Sequence, residues 1–188
     1  LICHPIAHMP QIFEVYRGDR YLVIIEECID GSSLSEHLRE GTFEPFEAAR
    51  IVRDLCCILN ELHTLECPII HRDIKPSNVM LTKSGEVVLL DMNVAKWYDS
   101  EEKEDTRLLG TKDYAAPEQA GYGMKASSDK TDIYAVGILL NVMLTGKLPK
   151  EKPAQGKLWD IIERCISLDA DTRYSADKLI EQLDNYLG

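Results

Sequence analysis

Three short runs hold most of the residues able to do chemistry: His71-Arg72-Asp73-Ile74-Lys75-Pro76-Ser77-Asn78, then Asp91-Met92-Asn93, then Gly110-Thr111-Lys112-Asp113-Tyr114-Ala115-Ala116-Pro117-Glu118. Two carboxylates, an amide and a lysine on either side of one hairpin suit work on an anionic group held around a divalent cation. Taken singly, Asp73 and Asp91 would be turn residues or caps, the ordinary role of a loop aspartate, and His71 would be a satisfied core histidine. Order and spacing change that reading. Five specified positions in HRDxKxxN, at roughly one in twenty each, match by chance less than about once in a million.

The three runs resemble the protein kinase catalytic domain, with its HRDLxxxN, DFG and APE motifs. The resemblance implies a catalytic group of Asp73, Lys75, Asn78 and Thr111. Asp73 would orient a substrate hydroxyl and accept its proton, and Lys75 would reach the γ-phosphate. Thr111 would buttress both. Asn78 and Asp91 would bring oxygens to magnesium, which takes few protein ligands and completes its shell with phosphate and water. The implied cofactors are ATP and Mg2+, with Mn2+ as a substitute. The implied partners are ATP and proteins offering Ser or Thr, because the Lys75-Pro76 pair is similar to serine/threonine rather than tyrosine kinases.

Further matches follow the same family. Tyr21 to Cys28 resembles the strand entering the hinge, so Ile25 would guard the back of the adenine pocket while Glu26 and Cys28 offer backbone groups. Met80 would lie on the pocket floor. Asp132 would hold the catalytic loop's backbone, Arg173 would pair with Glu118, and His71 would serve packing. Within DSEEKED and beyond, Thr106 is a candidate phosphoacceptor with Arg72 as its partner; Ser100 or Thr111 are alternatives, and a plain solvated loop is the bland reading. The segments from Gly110 to Gly123 and Lys130 to Pro149, with Asp-Met-Asn, are similar to bacterial kinases of the eukaryotic-like type.

Departures limit what the resemblance carries. No Gly-rich loop, no Val-Ala-Ile-Lys strand and no helix with its partner glutamate precede His4-Pro5-Ile6-Ala7. The expected division is a small-lobe remnant at 1–27 and a large lobe at 28–188, a truncated chain inactive alone. Met92-Asn93 replaces Phe-Gly, and Asn tolerates the left-handed backbone such a turn can require. Two other functions compete. One is a pseudokinase or kinase-like binding module, although Asp73, Asn78 and Asp91 are intact. The other is a small-molecule phosphotransferase, which the GTxxYxxPE segment disfavours.

The elements that must position these residues can be read locally. Gln11–Tyr16 and Arg20–Glu27 read as strands around Arg17-Gly18-Asp19. Helical period starts at Gly31, with Ser32 or Ser33 as cap and Gly41 as stop. Pro45 opens a longer helix with an apolar stripe of Phe46, Ala49, Val52, Leu55, Leu59 and Leu62. Val79–Leu81 and Val87–Leu90 form a hairpin, and helices follow at 129–144, 158–168 and 175–187. The fold class expected is α+β: a mostly helical large lobe plus two remnant strands of a small-lobe sheet.

Composition agrees with one soluble domain. The chain has 188 residues, 45% hydrophobic and 28% charged, with 21 basic against 32 acidic side chains and a net charge of −11. That balance argues against nucleic-acid binding, which needs a basic face. The run Ile133–Leu144 is too short to span a bilayer, and no signal peptide opens the chain. Six cysteines, two of them adjacent and none in Cys-x-x-Cys, imply packed, reduced thiols and a cytoplasmic location. Without the rest of its sheet, the first hairpin should expose an edge and an apolar face, open to self-association.

Overall fold

The computed structural model describes residues 5–19, 21–92, 95–97, 111–120 and 127–188. The order is β1 (Ile12–Arg17), β2 (Leu22–Glu26), β3 (Gly31–Ser33), α1 (Leu34–Glu40), α2 (Pro45–His63) and β4 (Ile69–Ile70). Then come β5 (Val79–Thr82), β6 (Val87–Leu89), β7 (Lys96–Trp97), α3 (Asp129–Thr145), α4 (Lys157–Cys165) and α5 (Ala176–Leu187). The fold is α+β and mostly helical, as the sequence implies.

α3 is the axis of the body. Ile133, Val136, Leu139, Leu140 and Met143 are buried on one face, and Ala135, Gly137, Ile138 and Asn141 are buried on the others, the pattern of a helix enclosed on every side. Ser128 and Thr131 form its capping box, and Gly146 ends it in the left-handed conformation at φ 69°. Gly137 has a steric reason to be glycine, since a Cβ there would lie 2.6 Å from the Cβ of Cys165. α4 therefore packs directly on the α3 backbone. α2 lies along α5 and crosses α3, burying Ala49, Val52, Leu55, Leu59 and Leu62. Each large side chain so buried contributes about 1.5–3 kcal/mol.

Several sequence expectations need correction. Phe46 is not in the α2 core stripe; it is 58% exposed, and its ring lies tilted against Tyr186 with centroids 5.9 Å apart. Pro45 and Phe46 lie in the first turn, where α2 has reached the end of its α5 neighbour, Leu187. Residues 31–33 are a strand rather than the start of a helix, and Gly31 pairs with Thr82 while Ser33 pairs with Met80. Only glycine fits there, because a Cβ would meet the Leu81 carbonyl oxygen at 2.2 Å. The helix proper begins at Leu34 behind a capping box in which Ser33 Oγ accepts from Glu36 N–H and Glu36 Oε2 accepts from Ser33 N–H. α4 stops at Cys165, three residues short of the expected end. The β4–β7 pair, two residues a side, is too short to leave a periodic trace.

The cysteines also divide. Cys56 and Cys165 are buried, but Cys28 and Cys67 are exposed, so packing does not account for all of them. The first hairpin is exposed as expected, with Phe13 at 55% and Tyr21 at 67%. No described helix is long and apolar enough to cross a membrane.

Candidate active site

The site is built on two irregular segments held by rigid neighbours. β4 ends at Ile70, and the chain then turns through Arg72 at φ 70°, a left-handed conformation costly for a residue with a Cβ. Asp132, fully buried in the first turn of α3, fixes that turn. Its two carboxylate oxygens accept the His71 N–H at 2.9 Å and the Arg72 N–H at 2.7 Å. His63, in the last turn of α2, meets Asp132 Oδ2 through Nε2 at 2.8 Å. Burial pushes the Asp132 carboxyl up, but its contacts with His63 and the charges and N–H groups around it outweigh that and hold it below the ordinary range.

His71 donates from Nε2 to the Leu90 carbonyl at 3.0 Å, while its Nδ1 accepts the Asp73 N–H at 3.3 Å. One imidazole thus ties the loop over 71–78 to the residue before Asp91. The Leu90 N–H in turn donates to the Asn78 carbonyl at 2.8 Å. Asp91 follows at φ 66°, a second strained position.

Around Asp73 three predicted residues converge. Lys75 Nζ lies 2.6 Å from Asp73 Oδ2 and 3.0 Å from the Thr111 hydroxyl. Thr111 donates both its N–H, at 3.0 Å, and its hydroxyl, at 2.8 Å, to Asp73 Oδ1. Asn78 Nδ2 donates to the Asp73 carbonyl at 2.9 Å and to Oδ2 at 3.1 Å. Desolvation raises the Asp73 pKa, yet the bonds from Lys75, Thr111 and Asn78 and the lysine charge prevail, leaving it below the usual carboxylate value. An ionised, oriented carboxylate results. Asn78 is anchored through its amide nitrogen, while its amide oxygen accepts only a long bond, 3.4 Å, from the Ser77 hydroxyl, one that a cation can displace.

A cavity of about 570 Å³ adjoins this cluster, with Leu22, Ile24 and Glu26 of β2 on one side and Asn78, Asp91 and Met92 on the other. An apolar wall facing an amide and a carboxylate fits a flat heterocycle bearing phosphates and a divalent cation. Ile25 is not among the lining residues. Ile24 and Glu26 take the cavity face of β2, so strand alternation turns Ile25 to the other face, where it is exposed. Cys28 and Met80 do not line the cavity either. Met80 sits between the buried Val79 and Leu81 on β5, hence on the opposite face of that strand. Thr106 and Asn93 lie outside the described residues.

The end of the third motif is clamped by a buried ion pair. Arg173 Nη1 and Nη2 reach Glu118 Oε1 and Oε2 at 2.7 and 3.0 Å, and Thr131 donates to Oε1 at 2.9 Å. Arg173 also donates to the Lys130 and Ser167 carbonyls and lies 4.9 Å from the Tyr134 ring centroid. Burial raises the Glu118 pKa, and the arginine, together with a backbone bond and the Thr131 hydroxyl, more than reverses it. Two supporting residues escaped sequence reasoning. Gln119 bridges the Arg72 carbonyl, at 2.8 Å, to the Ala116 N–H, at 3.0 Å, and His63 supports Asp132. Neither belongs to a local pattern; a histidine in the last turn of a helix was the one available cue.

The comparisons with known proteins agree with this geometry. The protein kinase domain model matches residues 4–159. The probable serine/threonine-protein kinase PknB of Corynebacterium glutamicum is 37% identical over 132 residues, covering 68% of this chain and 20% of that protein. The serine/threonine-protein kinase PrkC of Bacillus subtilis is 32% identical over 148 residues, covering 78% and 22%. PEPKR2, a serine/threonine-protein kinase of Arabidopsis thaliana, is 29% identical over 170 residues, covering 90% and 34%. The chain thus spans a fifth to a third of the length of these relatives. With a family model matched over most of its length and the motif residues gathered in one place, the chain belongs to the protein kinase domain family.

Proposed function

We propose that this chain is the large lobe, with residues 1–27 as the end of a small lobe, of a protein serine/threonine kinase transferring the γ-phosphate of ATP. The observation that carries the reading is the convergence of Lys75, Thr111 and Asn78 on the Asp73 carboxylate. Asp73 aligns a Ser or Thr hydroxyl and takes its proton, a task worth typically 10²–10⁴-fold. Lys75 sets a positive charge against the transferred group, and Thr111 keeps Asp73 and Lys75 in register. Asn78 and Asp91 would hold magnesium, or manganese, which when bound neutralises phosphate charge. Glu26 presents hinge backbone to adenine, and Ile24 stands beside it as an apolar wall. Arg72 receives a phosphate on Thr106 as an activating contact. The exposed thiols of Cys28 and Cys67 suit a reducing cytoplasmic setting, and the bare hairpin gives a surface for self-association.

The test is transfer of labelled γ-phosphate from magnesium ATP by the intact protein, beside Asp73→Asn. Transfer to Ser or Thr should fall by about 10³-fold in the variant with the circular dichroism spectrum unchanged. A folded protein with no transfer across a broad substrate panel would instead make it a kinase-like binding module.

A further inference from the structure

A second cavity, about 480 Å³, lies beside the third motif and away from the nucleotide-sized one. Its floor is Tyr134 and Ile138 of α3, Leu148 and Pro149 of the following loop, and Trp159 of α4. Lys112, Asp113 and Lys150 also line it, and all three are exposed. The loop after α3 and the first residue of α4, 146–157, carry Lys147, Lys150, Lys152 and Lys157 against one acid, Glu151, and all four lysines are exposed. The chain as a whole has a net charge of −11. This loop is therefore a basic strip on an acidic molecule, set on the rim of an apolar hollow.

The hollow is firmly built. Asn141, fully buried in α3, donates to the carbonyls of Lys147 and Lys152 at 2.8 and 3.0 Å. Its Oδ1 accepts the Ala154 N–H at 2.8 Å. One side chain thus fixes the basic loop at three points, so the lysines project from a defined backbone. Location adds a reason for the hollow to matter. Thr111, bonded to Asp73, immediately precedes Lys112 in the chain. An extended peptide covers about 3.5 Å per residue, so one whose hydroxyl reaches Asp73 passes the hollow within a few residues.

We propose that this hollow docks a protein-substrate segment presenting a large apolar side chain flanked by Asp or Glu. The inference rests on the kinase reading for the word substrate; charge and shape carry the occupant's chemistry. The apolar anchor fills the floor between Tyr134 and Trp159, and its acidic neighbours face Lys150, Lys152 and Lys112. Such complementarity selects partners and speeds encounter more than it tightens the complex.

The test uses the 188-residue chain and three short fluorescein-labelled peptides, read by anisotropy. One has Phe flanked by Glu, one has Lys in place of Glu, and one has Ser in place of Phe. The Glu–Phe peptide should bind about tenfold more tightly than either counterpart. Lys150→Glu combined with Lys152→Glu, both exposed sites, Lys150 in a loose 3.9 Å pair with Asp113, should reduce its affinity roughly tenfold without altering the fold. Equal binding of all three peptides, or indifference to the charge reversal, overturns the proposal. Displacement by duplex DNA or anionic vesicles as effective as by unlabelled peptide also overturns it, because the strip would then read charge alone. Equal kcat/KM on acidic and basic peptides in the intact protein sinks the docking proposal and leaves the kinase reading standing. Selective binding without any transfer does the reverse.

Discussion

The loop over 71–78 and the β1–β2 hairpin sit on opposite sides of one cavity, and they are held by opposite means. Around Asp73 and Asp132 polar groups are buried, and the bonds described above connect α2, β4, β6, α3 and the third motif. The hairpin is a two-stranded sheet with a row of exposed apolar side chains and few ties to the body. One region is specified by polar satisfaction, where each group depends on the others. The other is specified by strand pairing alone, and an isolated two-stranded hairpin is marginal in water. The site's chemistry is therefore anchored in the helical body, while the wall of its cavity is the softer half.

The sharpest way to break this contrast is Asp132→Ala. It strands the His71 and Arg72 N–H groups and the His63 ring in a buried region, without the carboxylate that pairs them. Each orphaned buried group costs about 1–3 kcal/mol, so the loss should be about 5 kcal/mol in urea unfolding, with transfer abolished through the collapsed loop. Loss below about 1 kcal/mol would mean that the loop holds its strained turn unaided.

Arg173→Met is the next largest. Removing one member of a buried pair costs about 3–5 kcal/mol, here at neutral pH. The pH dependence fixes the cause. With Arg173 present, the Glu118 carboxyl is held below its unfolded value, so its contribution is complete above the ordinary carboxylate range and lost as pH falls through the folded value. In the variant the arginine no longer opposes burial and only the backbone and Thr131 bonds do, so the folded pKa moves up and less stability is lost on protonation. The difference between the two proteins should therefore shrink as pH drops from 7 to 4. A constant difference would assign the effect to lost packing against Tyr134 instead.

How far the sequence revealed this arrangement follows the same division. Motif spacing located Asp73, Asn78, Asp91, Asp132 and the Glu118–Arg173 partners, since kinase motifs stand for contacts across the fold. Periodicity found α2, α3 and the β5–β6 hairpin, whose apolar positions repeat. It failed at β3, where Gly31 is chosen by the Leu81 carbonyl pressing on it, a tertiary fact with no local trace. It failed at Phe46, where the helix outlasts its neighbour. Ile25 shows a finer limit. Motif alignment names the strand, but which face of β2 meets the cavity depends on register with β1, where Ile25 lies opposite Glu14. His63 and Gln119 were invisible because their partners are remote, at Asp132 and Arg72.

The smallest effect sharpens the comparison from the hairpin side. Tyr16 pairs with Val23 and Glu14 with Ile25, so these four share the face turned from the cavity. Ile25→Thr keeps a β-branched residue and removes apolar surface that water already reaches. Its cost should stay within about 0.5 kcal/mol, as for surface sites in general. Exchange of the β1 and β2 amides should proceed through local opening, far faster than for α3, whose amides need global unfolding. If the hairpin edge pairs with a second copy, protection would instead rise with protein concentration, and Ile25→Thr would remove the rise. Protection equal to that of α3 in a dilute monomer would end the distinction, because the hairpin would then share the cooperativity of the body it leans on.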